Sequence, residues 1–491
     1  MEILLVVLQG AVVIGAIVMG VRTGGLGLGL WGVVGTAVLV FLFHLQPGAI
    51  PIDAFFIIIA VITASSAMQA AGGIDYLVAI ASKIIQANPK RLTYVAPVVA
   101  FAFTVLSGTS NIFFALIPVI YETAYRNGQR PERALAASTV TSGLGITASP
   151  VSAAMAAFLV LMDGTGYGLP KILAITIPAA LIACIATSVV QQRIGKELLD
   201  DPVFLKRVER GTVEVPPALK ARYAAKLAGT AASAGSVGST AESGTDAAGA
   251  TTTATADNSA DVPPPRIEHP VPPGGAVSAW IFIAGTLLIV LFGLFSGLRP
   301  AFPTGENGEL EPIPMATIIE MVMFTVALVI ILVRKVKPSV VVEQPLLKAG
   351  FVAAVALFGI AWMADTFITA NEETIIEPLG AMIESNPLLL AVALFLVCGL
   401  TTSQSATTNT MIPIALAAGL APGIITAMWP SLIGVWLFPA NGSQIAAVET
   451  DLTGSTKLTQ VPVYHSFTIP MLVSWVAVVA SGLLIQLIIP A

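Results

Sequence analysis

The residues of this chain that could do chemistry are short runs of hydroxyls and amides set inside apolar stretches. One run is Ser107, Gly108, Thr109, Ser110 and Asn111; another is Ser405, Ala406, Thr407, Thr408, Asn409 and Thr410. Two more runs interrupt apolar segments with proline or glycine: Thr147, Ala148, Ser149, Pro150, Val151 and Ser152, then Pro439, Ala440, Asn441, Gly442 and Ser443. A helix broken at bilayer depth leaves costly unpaired backbone groups, so such breaks persist where they line a cavity or bind something. Broken ends present N–H groups with a partial positive charge, a receptor for anions that needs no arginine. Two such ends facing each other suit two carboxylates a few ångströms apart, and hence a small dicarboxylate. Exposed carbonyls, with the side-chain oxygens of Asn111, Asn409, Ser149 and Asn441, also offer oxygen ligands of the kind Na+ takes. The plainer reading is that Ser, Thr and Gly let membrane helices pack closely. For Asn111 and Asn409, an amide at the midplane is expensive enough to favour a functional role.

These runs need a lipid-solvated scaffold, and the composition points to one. Of 491 residues, 56% are hydrophobic and 10% charged, against about a quarter charged in soluble chains. A chain this poor in charge cannot cover a soluble surface, so membrane lipid is an expected partner. The net charge of −5 and the sparse aromatics argue against nucleic acid. Cys184 and Cys398 lie in apolar runs, so no disulfide framework is indicated.

A spanning helix needs about 20 apolar residues. Such runs lie near 3–21, 25–43, 54–71, 171–192, 277–296, 315–333, 349–368 and 463–489. Only Glu2 precedes the first run and the first cation, Arg22, follows it, so it reads as a retained span rather than a cleaved leader. The interrupted stretches are 92–125, 134–162, 388–418 and 423–448. Between the halves, 197–227 is charged and 228–262 is almost wholly Ala, Gly, Ser and Thr, with Pro263, Pro264 and Pro265 next. Residues 197–275 are therefore expected to form a disordered linker.

Treating 92–125 and 388–418 as re-entrant hairpins places all 23 Lys and Arg except Lys171 and Arg299 on one side, which is then the cytoplasmic one. Treating 92–125 as an ordinary span puts the later basic loops on the wrong side. The expected topology has both termini outside and the linker inside. Two halves, 1–196 and 276–491, each hold five spans, one of them broken, and one hairpin. An odd number of crossings per half inverts the second relative to the first. At an ungapped offset of 298, Asn88 and Pro89 fall on Asn386 and Pro387, Ser107 on Ser405, Thr109 on Thr407 and Asn111 on Asn409. Residues 108–111 thus overlie 406–409, with both tetrads expected at hairpin tips. The fold class expected is an all-α polytopic membrane protein of two inverted repeats.

Other ionisable groups carry less. Asp365 and Glu320 fall near the outer ends of spans, where interfacial placement competes with a proton-coupling role. Glu122 sits beside the basic inner loop and is expected to pair there. His44 is in an outer loop, His269 in the linker, and His465 at the start of the last span, where a structural role is expected. The tryptophans, Trp429 and Trp436 among them, read as packing or interface residues.

Several long motifs stand in order along the chain: RTGGLGLGLWG, FLFHLQPG, ASSAMQAAGGIDYL, LSGTSNIFFALIPVIYE, RPERALAAS, GITASPVSAA and DDPVFLKRVERG. GIAWMADTF, SQSATTNTMIPIALA and HSFTIPMLV follow in the second half. In these the chain resembles the anaerobic C4-dicarboxylate transporter family, Dcu, in its A/B branch, nearly end to end except for 228–275. The resemblance implies exchange or symport of fumarate, succinate, malate and aspartate in a bacterial cytoplasmic membrane. It also implies membership of the ion-transporter superfamily, with a homodimer in which the hairpins and broken helices slide as a unit in an elevator motion. Carried over by position, the site is 107–111, 147–152, 405–410 and 439–443. At the second break the branch has a Leu-Pro-Thr-Tyr-Pro pattern, whereas this chain has Leu437, Phe438, Pro439, Ala440, Asn441 and Gly442. The added Asn and Gly resemble sodium-coupled relatives, so Na+ or H+ is the expected coupling ion and no other cofactor is implied.

Two other classes compete. One is a sodium-coupled carrier of another small organic anion or an acidic amino acid. The other is an intramembrane enzyme, which needs a catalytic pair at one depth; no HExxH or paired Asp motif is present. A channel would need a continuous polar lining on several spans, which is missing.

Overall fold

The computed structural model describes residues 2–23, 26–110, 112–235, 271–304, 309–371, 386–438, 441–458 and 464–489. Asn111, Pro439 and Ala440 of the candidate site, and His269, lie outside the described residues, as does 236–270 of the expected linker.

Apolar runs fold as helices because a helix pairs its own backbone where lipid offers no partner. The first half comprises α1 (Glu2–Thr23), α2 (Gly27–Phe41), α3 (Ile52–Ala70), α4 (Gly73–Ala87), α5 (Leu92–Ser107), α6 (Ile112–Arg126), α7 (Pro131–Thr147), α8 (Ala153–Leu161) and α9 (Leu169–Gln191). Then come α10 (Pro202–Glu209) and α11 (Lys220–Gly235). The second half comprises α12 (Gly275–Leu294), α13 (Met315–Arg334), α14 (Pro338–Glu343), α15 (Pro345–Ala370), α16 (Leu388–Thr401), α17 (Gln404–Ala417) and α18 (Pro422–Met428). A 3-10 segment, Trp429–Trp436, leads towards α19 (Gly442–Thr450), and α20 (Thr468–Gln486) follows. Among the described residues, six helices are long and apolar enough to cross a bilayer: Pro89–Ser107, Leu169–Gln191, Gly275–Leu294, Met315–Arg334, Pro345–Phe367 and Thr468–Gln486. The protein is a mostly apolar, helical, multi-pass membrane protein.

The all-α expectation needs one correction. β1 (Ala301–Thr304) and β2 (Glu309–Pro312) pair antiparallel, Ala301 opposite Pro312, in the connection between α12 and α13. Sequence patterning also missed α4. The apolar run of α3 turns by 72° at the left-handed Gly72 into α4, whose buried residues, Leu77, Val78, Ala81 and Ile85 among them, line one helical face rather than a continuous run.

Packing is reciprocal between the halves. α2 packs on α15 and α3 on α13; α5 packs on α7, and α16 on the 3-10 segment; α9 and α20 pack on each other. At the α2–α15 crossing the backbones nearly touch, since a Cβ on Gly29 would sit 2.1 Å from the Val355 carbonyl oxygen.

The expected disordered linker is folded over its first part. Leu198, Leu199, Phe204, Val213 and Leu219 form a small core of their own, so the charged residues around them are one face of a packed segment rather than solvated chain. This segment is bolted to the start of α7. The Arg130 guanidinium, 6% exposed, lies 2.5 Å from Asp201 and 2.6 Å from Glu132 and donates to the Lys196 carbonyl at 3.0 Å. Ser466 donates to Glu132 at 2.5 Å; Ser455 accepts the Glu132 N–H at 3.1 Å and donates to Asp451 at 2.7 Å. Arg207 reaches the Leu452 carbonyl at 2.8 Å. Burial alone pushes the Asp201 carboxyl up, but the Val203 N–H and Arg130 outweigh it and hold the carboxyl below the usual carboxylate range.

Candidate functional site

The first hairpin is α5 and α6. At about 1.5 Å per residue each arm is roughly 22–24 Å long, and with the 3-10 turn before it the first arm, Pro89–Ser107, reaches the length of a span. α5 ends on Gly108, whose φ of +71° is left-handed, and a Cβ there would sit 2.5 Å from the Val151 carbonyl oxygen. Glycine is required twice over, by the turn and by the contact, and the contact brings the hairpin tip onto the break between α7 and α8.

That break is held by its own hydroxyls. Ser149 donates to the Val105 carbonyl at 2.7 Å and accepts the Val151 N–H at 3.3 Å. Ser152 caps α8, accepting the Met155 N–H at 3.0 Å while donating to the Ile146 carbonyl at 2.7 Å. Thr147 donates to the Leu144 carbonyl, and Ser107 to the Thr109 carbonyl, both at 3.0 Å. Ala148 and Pro150 are buried in the turn, while Thr109 and Ser110 at the tip are half-buried.

The second hairpin turns at Thr402, in the left-handed region at φ +51°, with Ser403 capping α17 through the Ala406 N–H at 3.2 Å. This corrects the register read from sequence. Residues 406–409 are not at the tip but in the first turns of α17, because the left-handed residue equivalent to Gly108 is Thr402. An ungapped alignment could not detect that four-residue slip. Ser405 is half-buried there. Thr407 donates to the Ser403 carbonyl at 2.9 Å, and Thr410 to the Ala406 carbonyl at 2.9 Å. Thr408 donates to the Gln404 carbonyl at 2.8 Å and accepts the Trp429 indole N–H at 2.9 Å. Asn409 is different: it is 1% exposed, and neither polar atom of its carboxamide has a hydrogen-bond partner among the described residues.

At the second break, the Asn441 side chain caps α19, accepting the Ser443 N–H at 3.1 Å and its hydroxyl at 2.8 Å. Gln444 accepts the Asn441 N–H at 3.3 Å and donates to the Trp436 carbonyl at 3.0 Å. This is a capping box, which explains the extra Asn and Gly at this break as helix-starting chemistry.

Contacts across the chain bring the four interruptions together. Gln404 donates to the carbonyls of Gly143 in α7 and Leu432 in the 3-10 segment, at 3.1 and 3.4 Å. A Cβ on Gly143 would be 2.8 Å from the Trp436 indole nitrogen, and one on Gly442 would be 3.3 Å from the Phe114 ring of α6. α17 also packs on α8, where Trp429 stacks on Phe158 at 4.2 Å. The helices α6, α8, α17 and α19 all begin at these interruptions, so four positive helix ends share one region that holds no Lys or Arg among the interrupting residues.

Of the four candidate Na+ ligands, the side-chain oxygens of Ser149 and Asn441 are engaged in backbone capping, and Asn111 lies outside the described residues. Asn409 alone is buried and uncommitted. Sequence reasoning missed Gln404, and read Trp429 and Trp436 as packing or interface residues. Both tryptophans are fully buried; Trp429 holds Thr408, and the Trp436 N–H is without a partner. It also missed that the His465 ring meets the Leu437 carbonyl at 3.2 Å, against the broken backbone. The polar run Thr401, Thr402, Ser403, Gln404 and Ser405 was the signal for Gln404. Glu122 pairs with Arg126 as expected, and Asp365 accepts the Ala49 N–H at 2.6 Å.

Known proteins share this chain along almost its whole length. It is 33% identical over 475 residues to the anaerobic C4-dicarboxylate transporter DcuB of Escherichia coli O6:H1 (strain CFT073), covering 96% of each chain. It is 32% identical over 467 residues to the C4-dicarboxylate transporter DcuA of Escherichia coli K12, covering 95% of each. To DcuA of Wolinella succinogenes it is 32% identical over 484 residues, covering 98% of this chain and 99% of that one. The sequence profile described as "Anaerobic c4-dicarboxylate membrane transporter" matches residues 5–490, and the chain belongs to that family of transporters, which are carriers and not enzymes.

Proposed function

We propose that this protein is a secondary carrier of C4-dicarboxylates such as fumarate, succinate, malate and aspartate, which binds its substrate among the four helix interruptions. The observation that carries the proposal is Asn409, a fully buried amide with no partner among the described residues, in a region where the hydroxyls of Thr147, Ser149, Ser152, Thr407 and Thr410 all donate to backbone carbonyls. A buried amide without a partner costs about 1–3 kcal/mol, a cost that a bound carboxylate, accepting from the amide N–H groups, offsets on the donor side. The helix ends supply the remaining N–H donors, so a dianion is held by dipoles and amides without a fixed cation that would grip it too firmly for release.

Reciprocal packing of α2 on α15 and α3 on α13 supports two inverted repeats, 1–196 and 276–491, although the second hairpin is offset from the simple alignment. In this reading the hairpins and broken helices move as a unit within a homodimer, the membrane is the bacterial inner membrane, and both termini face the periplasm. Transport is by exchange or by symport with Na+ or H+.

The test is counterflow of labelled succinate into proteoliposomes preloaded with fumarate, with and without Na+, for the wild type, Asn409→Ala and Asn111→Ala. Uptake by the wild type that collapses in Asn409→Ala supports the site, and dependence on Na+ identifies the coupling ion. No counterflow by folded wild type under either condition rules out the dicarboxylate assignment and turns attention to other small anions.

A further inference from the structure

Away from the interruptions, a pocket of about 180 Å³ lies at the foot of the first hairpin, between the 3-10 turn Pro89–Arg91 that leads into α5, the connection before α7 and the end of α9. Its cations are Lys90, Arg91 and Arg133, and among the described residues no carboxylate lines it. Arg133 is fixed by the Ile194 and Gly195 carbonyls, both at 2.9 Å, and by Glu197 at 2.9 Å. Lys90 and Arg91 are exposed and take part in none of the ion pairs among the described residues. The walls are cross-braced: Gln129 donates to the Pro89 carbonyl at 2.7 Å, and the Tyr94 hydroxyl donates to Gln192. The pocket is thus a formed recess with two uncompensated positive charges at the start of a helix, where the backbone adds positive potential.

What lies beside it identifies the ligand. α5 and α9 pack together, and from the pocket an apolar, exposed stripe runs along α9 with one exposed apolar residue beside it on α5. On α9 it is Val189, Ile185 and Ile182, at helical spacing from Gln192; on α5 it is Val98, one turn from Tyr94. A free anion would use only the recess. A molecule with a phosphate head and acyl chains would use both.

We propose that this recess is a binding site for a phosphate-bearing anion, supplied by an anionic phospholipid whose head meets Lys90, Arg91 and Arg133 and whose chains lie along α5 and α9. Basic recesses between membrane helices recognise such heads. A head bound there touches α5, the approach to α7 and the end of α9 together, and so joins elements that lead to the first hairpin tip and the first break.

The test uses the full chain, purified in a neutral detergent without substrate, so that its result is independent of transport. Dioctanoyl phosphatidylglycerol, dioctanoyl phosphatidylcholine and glycerol 3-phosphate are titrated in turn, with binding read by native mass spectrometry and by thermal shift. Phosphatidylglycerol is expected to bind and raise the melting temperature, with the other two much weaker. The Lys90→Gln/Arg91→Gln variant, both positions being exposed, is expected to keep the unliganded melting temperature and lose roughly thirtyfold in affinity, about fivefold or more for each charge. Glycerol 3-phosphate binding as tightly as the lipid would keep the anion site but assign it to a soluble phosphate. Equal binding of phosphatidylcholine, or unaltered phosphatidylglycerol affinity in the double variant, overturns the proposal.

Discussion

Two regions of this protein bury polar side chains, and they treat them in opposite ways. At the start of α7, Arg130, Glu132, Asp201, Ser455 and Asp451 form a closed network in which each charge meets an opposite charge or a hydroxyl donor. Among the interruptions there are no charges, and hydroxyls tie broken backbone to itself, yet Asn409 and the Trp436 N–H have no partners among the described residues. The first arrangement is closed on itself; the second leaves an amide and an indole N–H unpaired, as is the buried Gln191 amide at the end of α9. A buried polar group is therefore not informative by itself, and whether its bonds are already made is a second observation to be read with its surroundings.

That contrast is broken most directly at Arg130. Arg130→Met leaves Asp201 and Glu132 buried without their cation, and the expected loss is about 3–5 kcal/mol, seen as a large fall in melting temperature in detergent or no monodisperse protein at all. Adding Asp201→Asn to that variant recovers part of the loss if the network is what fails. At the site the expectation reverses. Asn409→Ala lowers counterflow on the order of a hundredfold, about 2.7 kcal/mol, while the melting temperature stays level or rises, because this amide has no bond to lose. A substantial drop in melting temperature would place Asn409 with Arg130 as structural. One residue away, Thr408→Val strips the acceptor from the buried Trp429 N–H and should cost about 1–3 kcal/mol of stability, so the neighbours 408 and 409 separate the two behaviours in a single assay. The smallest effect is on pH. With its carboxyl held below the usual range, Asp201 contributes stability that is present above its unfolded value, near 4, and is lost as pH falls through the folded value. Thermal melts in acid should show this loss in the wild type and not in Asp201→Asn.

Much of this plan was legible in the sequence because lipid makes local chemistry conspicuous. Pro150 and Gly442, each beside hydroxyls or an amide in an apolar run, pointed to breaks, and both breaks occur where expected, at 148–152 and before α19, whereas Pro97, Pro118, Pro178 and Pro413 are carried inside helices. The helices on either side of each turn, α5 and α6 and then α16 and α17, were equally plain. What failed was register and tertiary pairing. Nothing about Thr402 as a residue type announces a left-handed turn, so the second tip was placed four residues too late. Leu198, Phe204 and Leu219 are too widely spaced among charges to read as a core until they fold onto one another. Asn441 looked like an ion ligand, but its oxygen starts a helix. Gln404 and Trp436 matter through Gly143, a partner that lies more than 260 residues away in the chain, a distance across which no periodicity reports.

The turn at Thr402 has a mechanical meaning. Gly108 occupies its left-handed conformation at no steric cost, whereas a β-branched side chain in the same region carries about 1–2 kcal/mol of conformational strain. One hairpin is relaxed at its bend and the other is sprung, so two arms of similar length and matching architecture are not energetically equivalent. The two bends therefore differ in stored energy through a single side chain, Thr402 standing where the other hairpin has Gly108.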